Sequence, residues 1–228
     1  MRLVDFSSEI HPGMPKPPSA PEVTMRYTIS QSEDMEARKG FSNKLEEYTM
    51  TTHVATHFDA PSHFTTKGKN IDQFALDRFF MVPSLMLNVK KGEYGEISVK
   101  DLEEAQKEAG EIKKGDLVYL NTGFFRFYGE ETYLKTPYLT EEAARYLANA
   151  GVSIVAIDCF TVDDVRKKEK PAHVVLLKEY GIPIIECALH LDDAPKPRFS
   201  SVCFPLKIRD GSGAFTRLVG VFGEGDVE

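Results

Sequence analysis

The sequence predicts an α/β fold with a mixed sheet, and three observations carry that prediction. From residue 140 to 187, apolar runs and capped helical stretches alternate as helix, strand, helix, strand. The first half is instead rich in strand-like segments, which argues against a purely parallel sheet. No repeat, low-complexity tract or linker divides the chain, so residues 1–228 read as one domain, long enough to bury a substantial core.

Apolar and β-branched runs predict strands near 23–30, 45–53, 83–90, 117–122, 152–157, 182–187 and 201–206. The first helix opens at Ser98, with Asp101 completing a capping pattern, and Gly110 closes it. The second has Thr140 as N-cap, acids in its first turn and Gly151 as terminator. The third places Pro171 in its first turn and Gly181 just past its end. Ahead of these elements, "HPGMPKPPSAPE" (11–22) holds five prolines. They cannot donate to a sheet ladder, so this segment should run extended over the surface or over a site.

Composition narrows the function. A hydrophobic content of 42% with 28% charged residues is ordinary for a globular protein. The longest apolar runs, "VSIVAI" (152–157) and "IPIIECAL" (182–189), are far too short to cross a membrane. The N-terminus lacks an apolar signal-peptide core, so the expected location is the cytoplasm. Net charge is −7, and the basic cluster Arg166, Lys167, Lys168 and Lys170 is interrupted by Glu169. It reads as a solvated loop, and nothing favours nucleic acid. Cys159, Cys187 and Cys203 lie far apart without CxxC spacing and read as buried thiols of a reducing compartment.

The segment "HVATHFDAPSH" (53–63) stands out, with three of the six histidines and an aspartate in eleven positions. On a helix His53 and His57 would share a face, but Asp59 would lie well round the cylinder. On a strand all four residues have one parity, yet His53 and His57 would stand about 13 Å apart. Pro61 interrupts either element, so the chain must turn between His53 and Asp59 if the side chains are to converge. Two neutral imidazoles and a carboxylate suit Zn²⁺, and also Mn²⁺ or Fe²⁺. A polar loop of hydrogen-bonded histidines is the plainer reading.

A second set is placed by the predicted third helix and the strand after it. The helix rises by about 10 Å from His173 to Tyr180, and "IPIIE" returns by about 13 Å to Glu186. His173 and Glu186 can therefore end side by side. A carboxylate buried at the end of an apolar strand needs a partner, either a metal cation or a lysine or arginine. His190 beside an acidic turn reads as a surface or hydrogen-bonded histidine, and His11 would line a site only if the proline segment covers it. Asp158 and Asp163 follow the strand at 152–157, where α/β sites often lie, but a loop cap or ion pair explains each.

At these residues the sequence resembles the metal-dependent cyclase family that includes bacterial kynurenine formamidase and the isatin hydrolases. The family signature HxGTHxDxPxH stands here as His53 to His63, with Ala55 in the place of the usual glycine. The resemblance continues through "HPGMP" (11–15), "GDLVYLNTG" (115–123), "LTEEAARYLANAGVSIVAIDCFTVDD" (139–164) and "AHVVLLKEYGIPIIE" (172–186). It implies a swivelling β/β/α fold and a homodimer. It implies His53, His57 and Asp59 as ligands of a first metal, and Asp59 as a bridge to a second metal held by His173 and Glu186. His63 would be the catalytic histidine. Two departures follow. Thirteen positions separate His173 from Glu186, one more than the family pattern, an extra residue expected in "KEYG" (178–181). The chain also has no tryptophan, which members acting on kynurenine-like molecules often carry near the proline segment.

The expected reaction is metal-assisted hydrolysis of an amide in a small molecule, either an arylformamide of the N-formylkynurenine type or a cyclic amide such as isatin. One or two divalent ions, zinc first and manganese second, would acidify water from a pKa of about 15.7 towards 7 and polarise the carbonyl. His63 would shuttle a proton to the leaving nitrogen, and Glu186 would help orient the water. A metal-containing binding protein without turnover is the alternative. Serine-hydrolase, P-loop and dinucleotide fingerprints are absent, and "GSG" (211–213) lacks the context of a phosphate loop.

Overall fold

The computed structural model describes residues 1–223. Along the chain its strands begin with β1 (Arg2–Asp5), β2 (Thr24–Ile29), β3 (Leu45–Thr49) and β4 (His57–Asp59). Then come β5 (Val82–Asn88), β6 (Glu96–Ile97), β7 (Leu117–Asn121), β8 (Tyr138–Leu139) and β9 (Ile154–Ile157). The last are β10 (Ile184–Glu186), β11 (Arg198–Val202), β12 (Gly213–Phe215) and β13 (Val219–Phe222). The helices are α1 (Glu33–Lys39), α2 (Val99–Ala109), α3 (Glu141–Asn149) and α4 (Pro171–His173), which continues as a π-helix over Val174–Glu179.

Nine strands form one mixed sheet in the order β1-β13-β11-β5-β7-β9-β10-β4-β12. Its centre, β5-β7-β9-β10, is parallel, and the flanking pairs are antiparallel. The expected mixed sheet is therefore present. Crossover helices account for the parallel centre, because parallel neighbours need a long return path. Those central strands are apolar on both faces. Val118 and Leu120 of β7 pack with Val155, Ile157, Leu102 and Leu147 under the helices. Leu117 and Tyr119 point the other way, into a second core with Phe6, Phe58, Phe199 and Phe222. This double burial explains the uninterrupted apolar runs in the sequence.

Several elements differ from expectation. The strand predicted over 45–53 stops at Thr49, and the chain bends through residues 52–56 before β4 begins. Helix α1 was not anticipated, although Ser32 caps it by accepting from the Met35 N–H and Gly40 ends it at φ 76°. β1, β4, β12 and β13 are too short or too glycine-rich to show alternation in the sequence. The hairpin of β2 and β3 pairs outside the large sheet and is almost wholly exposed. All three cysteines are buried free thiols. Among the described residues, no helix is long and apolar enough to cross a membrane.

The α2 cap is the one the sequence predicts. The Ser98 hydroxyl accepts from the Asp101 N–H, and the Asp101 carboxylate accepts from the Ser98 N–H at 2.8 Å and from Lys91 at 2.7 Å. Partial desolvation pushes the Asp101 pKa up, but the Lys91 ammonium and the Ser98 donors outweigh it and hold the carboxyl at about 2. A lowered folded-state pKa means that this stabilisation is complete above the ordinary carboxyl range and is lost as pH falls from 3.8 through about 2. Ser98→Ala is expected to cost about 1 kcal/mol in urea unfolding at pH 7. The penalty should shrink between pH 4 and pH 2.5, and a constant penalty over that interval would contradict the cap.

Candidate metal centre

The site is built on β4, a three-stranded junction at one side of the sheet. β4 pairs antiparallel with β10 and β12, with Glu186 opposite His57, Ile184 opposite Asp59, and Gly213 opposite Asp59 on the other side. Alternation along β4 sends Phe58 into the apolar core and His57 and Asp59 to the opposite face. Glu186 joins them because it sits across from His57. Upstream, the turn that the sequence requires is made at Ala55, whose φ of 56° lies in the left-handed region. The alanine in the signature's glycine position is therefore not neutral and carries about 1–2 kcal/mol of backbone strain.

Three imidazoles surround one carboxylate. His53 Nδ1 lies 2.6 Å from Asp59 Oδ1, and His57 Nε2 lies 3.3 Å from the same oxygen. His173 Nε2 lies 3.3 Å from Asp59 Oδ2 and 3.4 Å from Glu186 Oε1. Glu186 Oε2 is also 3.6 Å from His57 Nε2. The two sets inferred from sequence, His53–His57–Asp59 and Asp59–His173–Glu186, thus share Asp59, with Glu186 facing a histidine of each. His57, Asp59, His173 and Glu186 are all buried.

Between His173 and Glu186 the helix is irregular, and its last two π-helical residues, Lys178 and Glu179, fall within the 178–181 segment where an extra residue is expected. Over Val174–Glu179 the chain is π-helical, with the Tyr180 N–H donating to the Val175 carbonyl. A π-turn holds one residue more than an α-turn. Gly181, at φ 66°, then starts the return to β10.

Second partners fix the imidazoles. The Ala55 carbonyl faces His57 Nδ1 at 2.9 Å, and a carbonyl can only accept, so Nδ1 carries the proton. The lone pair of His57 Nε2 then points into the cluster, and that buried atom has no hydrogen-bond partner. Asp163 Oδ2 sits 2.5 Å from His173 Nδ1, and the same carboxylate accepts from the N–H groups of Ala172 and His173. Asp163 is thus both the cap and the ion-pair partner considered from sequence, and it aims His173 Nε2 at Asp59. Asp158 caps the 122–125 loop, accepting from the N–H and hydroxyl of Thr122 and the Phe125 N–H, and takes no part in the cluster.

The electrostatics favour added positive charge. Burial pushes the Asp59 carboxyl up, but the surrounding imidazoles of His173, His53 and His57 reverse that and hold it well below the usual range. Glu186 is pushed up, by burial first and then by the Asp59 charge. Burial lowers the pKa values of His57 and His173, but the adjacent carboxylates outweigh it and raise both. Two carboxylates at the centre, backed by a third at Asp163, thus draw protons onto imidazoles that a cation could replace.

The donors fit a divalent metal. Two ligands held 2.0–2.2 Å from one tetrahedral ion stand about 3.4 Å apart. The contacts of His57 and His173 with Asp59 and Glu186, at 3.3 to 3.6 Å, match that spacing. The unpartnered His57 Nε2 is the donor expected beside such an ion. His53 fits less directly. Its contact of 2.6 Å with Asp59 is a hydrogen-bond length, and its other nitrogen meets the Ser212 hydroxyl at 3.0 Å.

His63 lies outside the carboxylate cluster, exposed, with its ring stacked on His53 at 4.0 Å. Partial burial, and then the surrounding imidazoles working against Asp59, lower its pKa to about 4. It is neutral at pH 7, which makes it a proton acceptor before it is a donor. A cavity of about 810 Å³ opens over the cluster, lined by His53, Asp59, His63, His173 and Glu186. The proline segment does border it, through Pro17, Pro18 and Pro21. A larger cleft, of about 1020 Å³, contains none of these residues, so the chemistry belongs to the smaller one. His11 and His190 are exposed and border no part of this cavity. The basic loop is exposed as expected at Lys167 and Lys168, but Arg166 and Lys170 also line the cavity, which the sequence reading did not anticipate.

Sequence reasoning also missed Gly213 and Ser212. A Cβ on Gly213 would lie 2.6 Å from both His53 Cε1 and the Phe58 carbonyl oxygen, so only glycine lets the His53 ring lie against β12. The sole signal was the "GSG" at 211–213, whose role here is close packing against an imidazole.

Comparison with known proteins agrees with this geometry. The chain is 29% identical over 218 residues to the kynurenine formamidase of Erythrobacter litoralis, covering 96% of this chain and 93% of that one. Isatin hydrolase A from Ralstonia solanacearum superposes with a TM-score of 0.84 at 23% identity, covering 96% and 91% of the two chains. A structure described as a potential metal-dependent hydrolase with cyclase activity superposes with a TM-score of 0.75 at 25% identity, covering 96% of each chain. The family model described as putative cyclase matches residues 4–164, and the chain belongs to that cyclase family.

Proposed function

We propose that the chain is a metal-dependent amidohydrolase that cleaves a C–N bond other than a peptide bond in a small molecule. An arylformamide or a cyclic amide such as isatin is the substrate class. The observation that carries this reading is the buried His57–Asp59–His173–Glu186 cluster, with His57 Nε2 unpartnered, at the foot of a cavity large enough for an aryl amide. The names of the relatives support it: a kynurenine formamidase and an isatin hydrolase act on such bonds, and another neighbour is described as metal-dependent. Zinc suits the mixed nitrogen and oxygen donors best, with manganese next.

His57, Asp59, His173 and Glu186 would hold the metal, and His53 would join them if its bond to Asp59 opens. When bound, a divalent cation polarises the amide carbonyl and acidifies water. The remaining work falls to the chain. Phe64 and Phe160 line the cavity and offer an aryl ring apolar walls. Glu186 is oriented by the Val162 N–H, which donates to Oε1 at 3.1 Å, so its carboxylate can position the attacking water. His63, neutral and exposed to the cavity, accepts a proton from that water and returns it to the departing nitrogen. A C–O bond forms, the C–N bond breaks, and the products are a carboxylic acid and an amine.

The test is a hydrolysis screen of zinc- or manganese-loaded protein against formanilides, isatin and cyclic imides, beside chelator-treated protein. Turnover of at least one class, abolished by chelator, is expected. Binding without turnover across the screen would instead favour a non-catalytic metalloprotein. With an active substrate, His63→Ala should keep its metal content and lose about 10²- to 10⁴-fold in kcat. Loss of the metal together with activity would assign His63 as a ligand. Asp163→Asn should leave the protein folded by circular dichroism and weaken metal affinity by about 10- to 100-fold, since it aims His173. Unchanged affinity in a competition titration would show that Asp163 acts only as a helix cap.

A further inference from the structure

The cavity carries a charge asymmetry that amide hydrolysis does not use. Among the described residues, its charged lining beyond the metal centre consists of Arg166 and Lys170, and its acids are Asp59 and Glu186 of the centre itself. These two cations are not equivalent. Arg166 makes a two-pronged pair with Asp164, Nε to Oδ1 and Nη2 to Oδ2, each at 2.9 Å. It also lies over the Tyr94 ring at 4.6 Å, so its charge and its flat face are both engaged. Lys167 approaches the same carboxylate at 3.7 Å. Asp164 therefore already serves two cations.

Lys170 has no such counterion. Its Nζ donates to the carbonyls of Asp164 at 3.2 Å and Lys167 at 3.0 Å, and both partners are neutral. An ammonium has three N–H donors, so one remains after those two bonds. Among the described residues no carboxylate pairs with it, although the side chain is partly buried. The two carbonyls hold the charge in place, so a ligand anion would not have to immobilise a free lysine arm. Apolar lining from Phe64, Leu134, Phe160 and Val165 lowers the local dielectric and strengthens the field of that charge within the cavity.

We propose that Lys170 determines specificity by binding a carboxylate carried by the substrate, so that the preferred substrate is an aryl amide bearing an anionic group. This rests on the amide hydrolysis proposed above for the same cavity. One charge-assisted hydrogen bond in a partly desolvated site corresponds to about a 10- to 100-fold preference. The competing role for Lys170 is a clamp on the 164–167 turn, which would affect every substrate alike.

The experiment compares formanilide with 2-, 3- and 4-formamidobenzoate as substrates of the metal-loaded protein and of Lys170→Met and Lys170→Arg. The wild type is expected to favour at least one formamidobenzoate over formanilide in kcat/KM. Lys170→Met should reduce kcat/KM for that compound by about 10- to 100-fold, mainly through KM, and leave formanilide within about twofold. Lys170→Arg should restore most of the preference. Equal losses on charged and neutral substrates, or no loss on either, would overturn the proposal. If none of the four compounds is hydrolysed, the arylformamide branch of the proposed reaction fails, and the same compounds become calorimetric binding probes. Weaker binding of a formamidobenzoate to Lys170→Met, with formanilide unchanged, would still support the lysine's role. Equal affinities, or no binding of the charged compounds to the wild type, would overturn it.

Discussion

A single buried carboxylate organises this molecule's chemistry. Asp59 lies in the middle of the sheet junction with His53, His57 and His173 all within 3.3 Å of its oxygens. An isolated charge in that position would be strongly unfavourable, and pairing with imidazoles only moves the problem, because Glu186 and Asp163 add negative charge to the same region. The raised pKa values of His57 and His173 answer it in part. A divalent cation relieves it more completely, and the donor spacing suits one. The strands paired on either side of Asp59 keep this unfavourable concentration of charge from relaxing.

Three features hold it. Pairing of β4 with β10 sets Glu186 across from His57 in a fixed register, so neither carboxylate can withdraw without breaking the ladder. Close packing of Gly213 holds the His53 ring against the neighbouring strand. The helix that begins at Pro171 turns His173 towards Asp59 and continues as a π-helix. Each has a local cost: strain at Ala55, an irregular helix, and a strand with no side chain at one position. Such departures from regular geometry are commonly concentrated where function requires them.

Much of this was legible in the sequence, for a physical reason. The convergence of His53, His57 and Asp59 can be argued from parity and the need for a turn, and the meeting of His173 with Glu186 from helix rise and strand return. Those are short-range constraints. The caps of α2 and α3 were legible for the same reason, since Ser98 and Thr140 act on donors three residues away. What escaped depends on distant partners. Gly213 touches His53 across 160 positions of chain, and Lys170 matters because of the cavity it faces, so neither signals itself locally. The π-helical form of Val174–Glu179 escaped too, because π and α turns share the same apolar residues.

A carboxylate cluster of this kind is suited to hold a divalent cation. Anomalous diffraction at the zinc absorption edge, from crystals of the protein grown with zinc, tests it most directly. An anomalous peak is expected within about 2.0–2.3 Å of His57 Nε2 and of an Asp59 or Glu186 oxygen, with any second peak on the His173 side of Asp59. A map with zinc only at surface sites, and the His57–Asp59–His173–Glu186 cluster closed by its own hydrogen bonds, would contradict it.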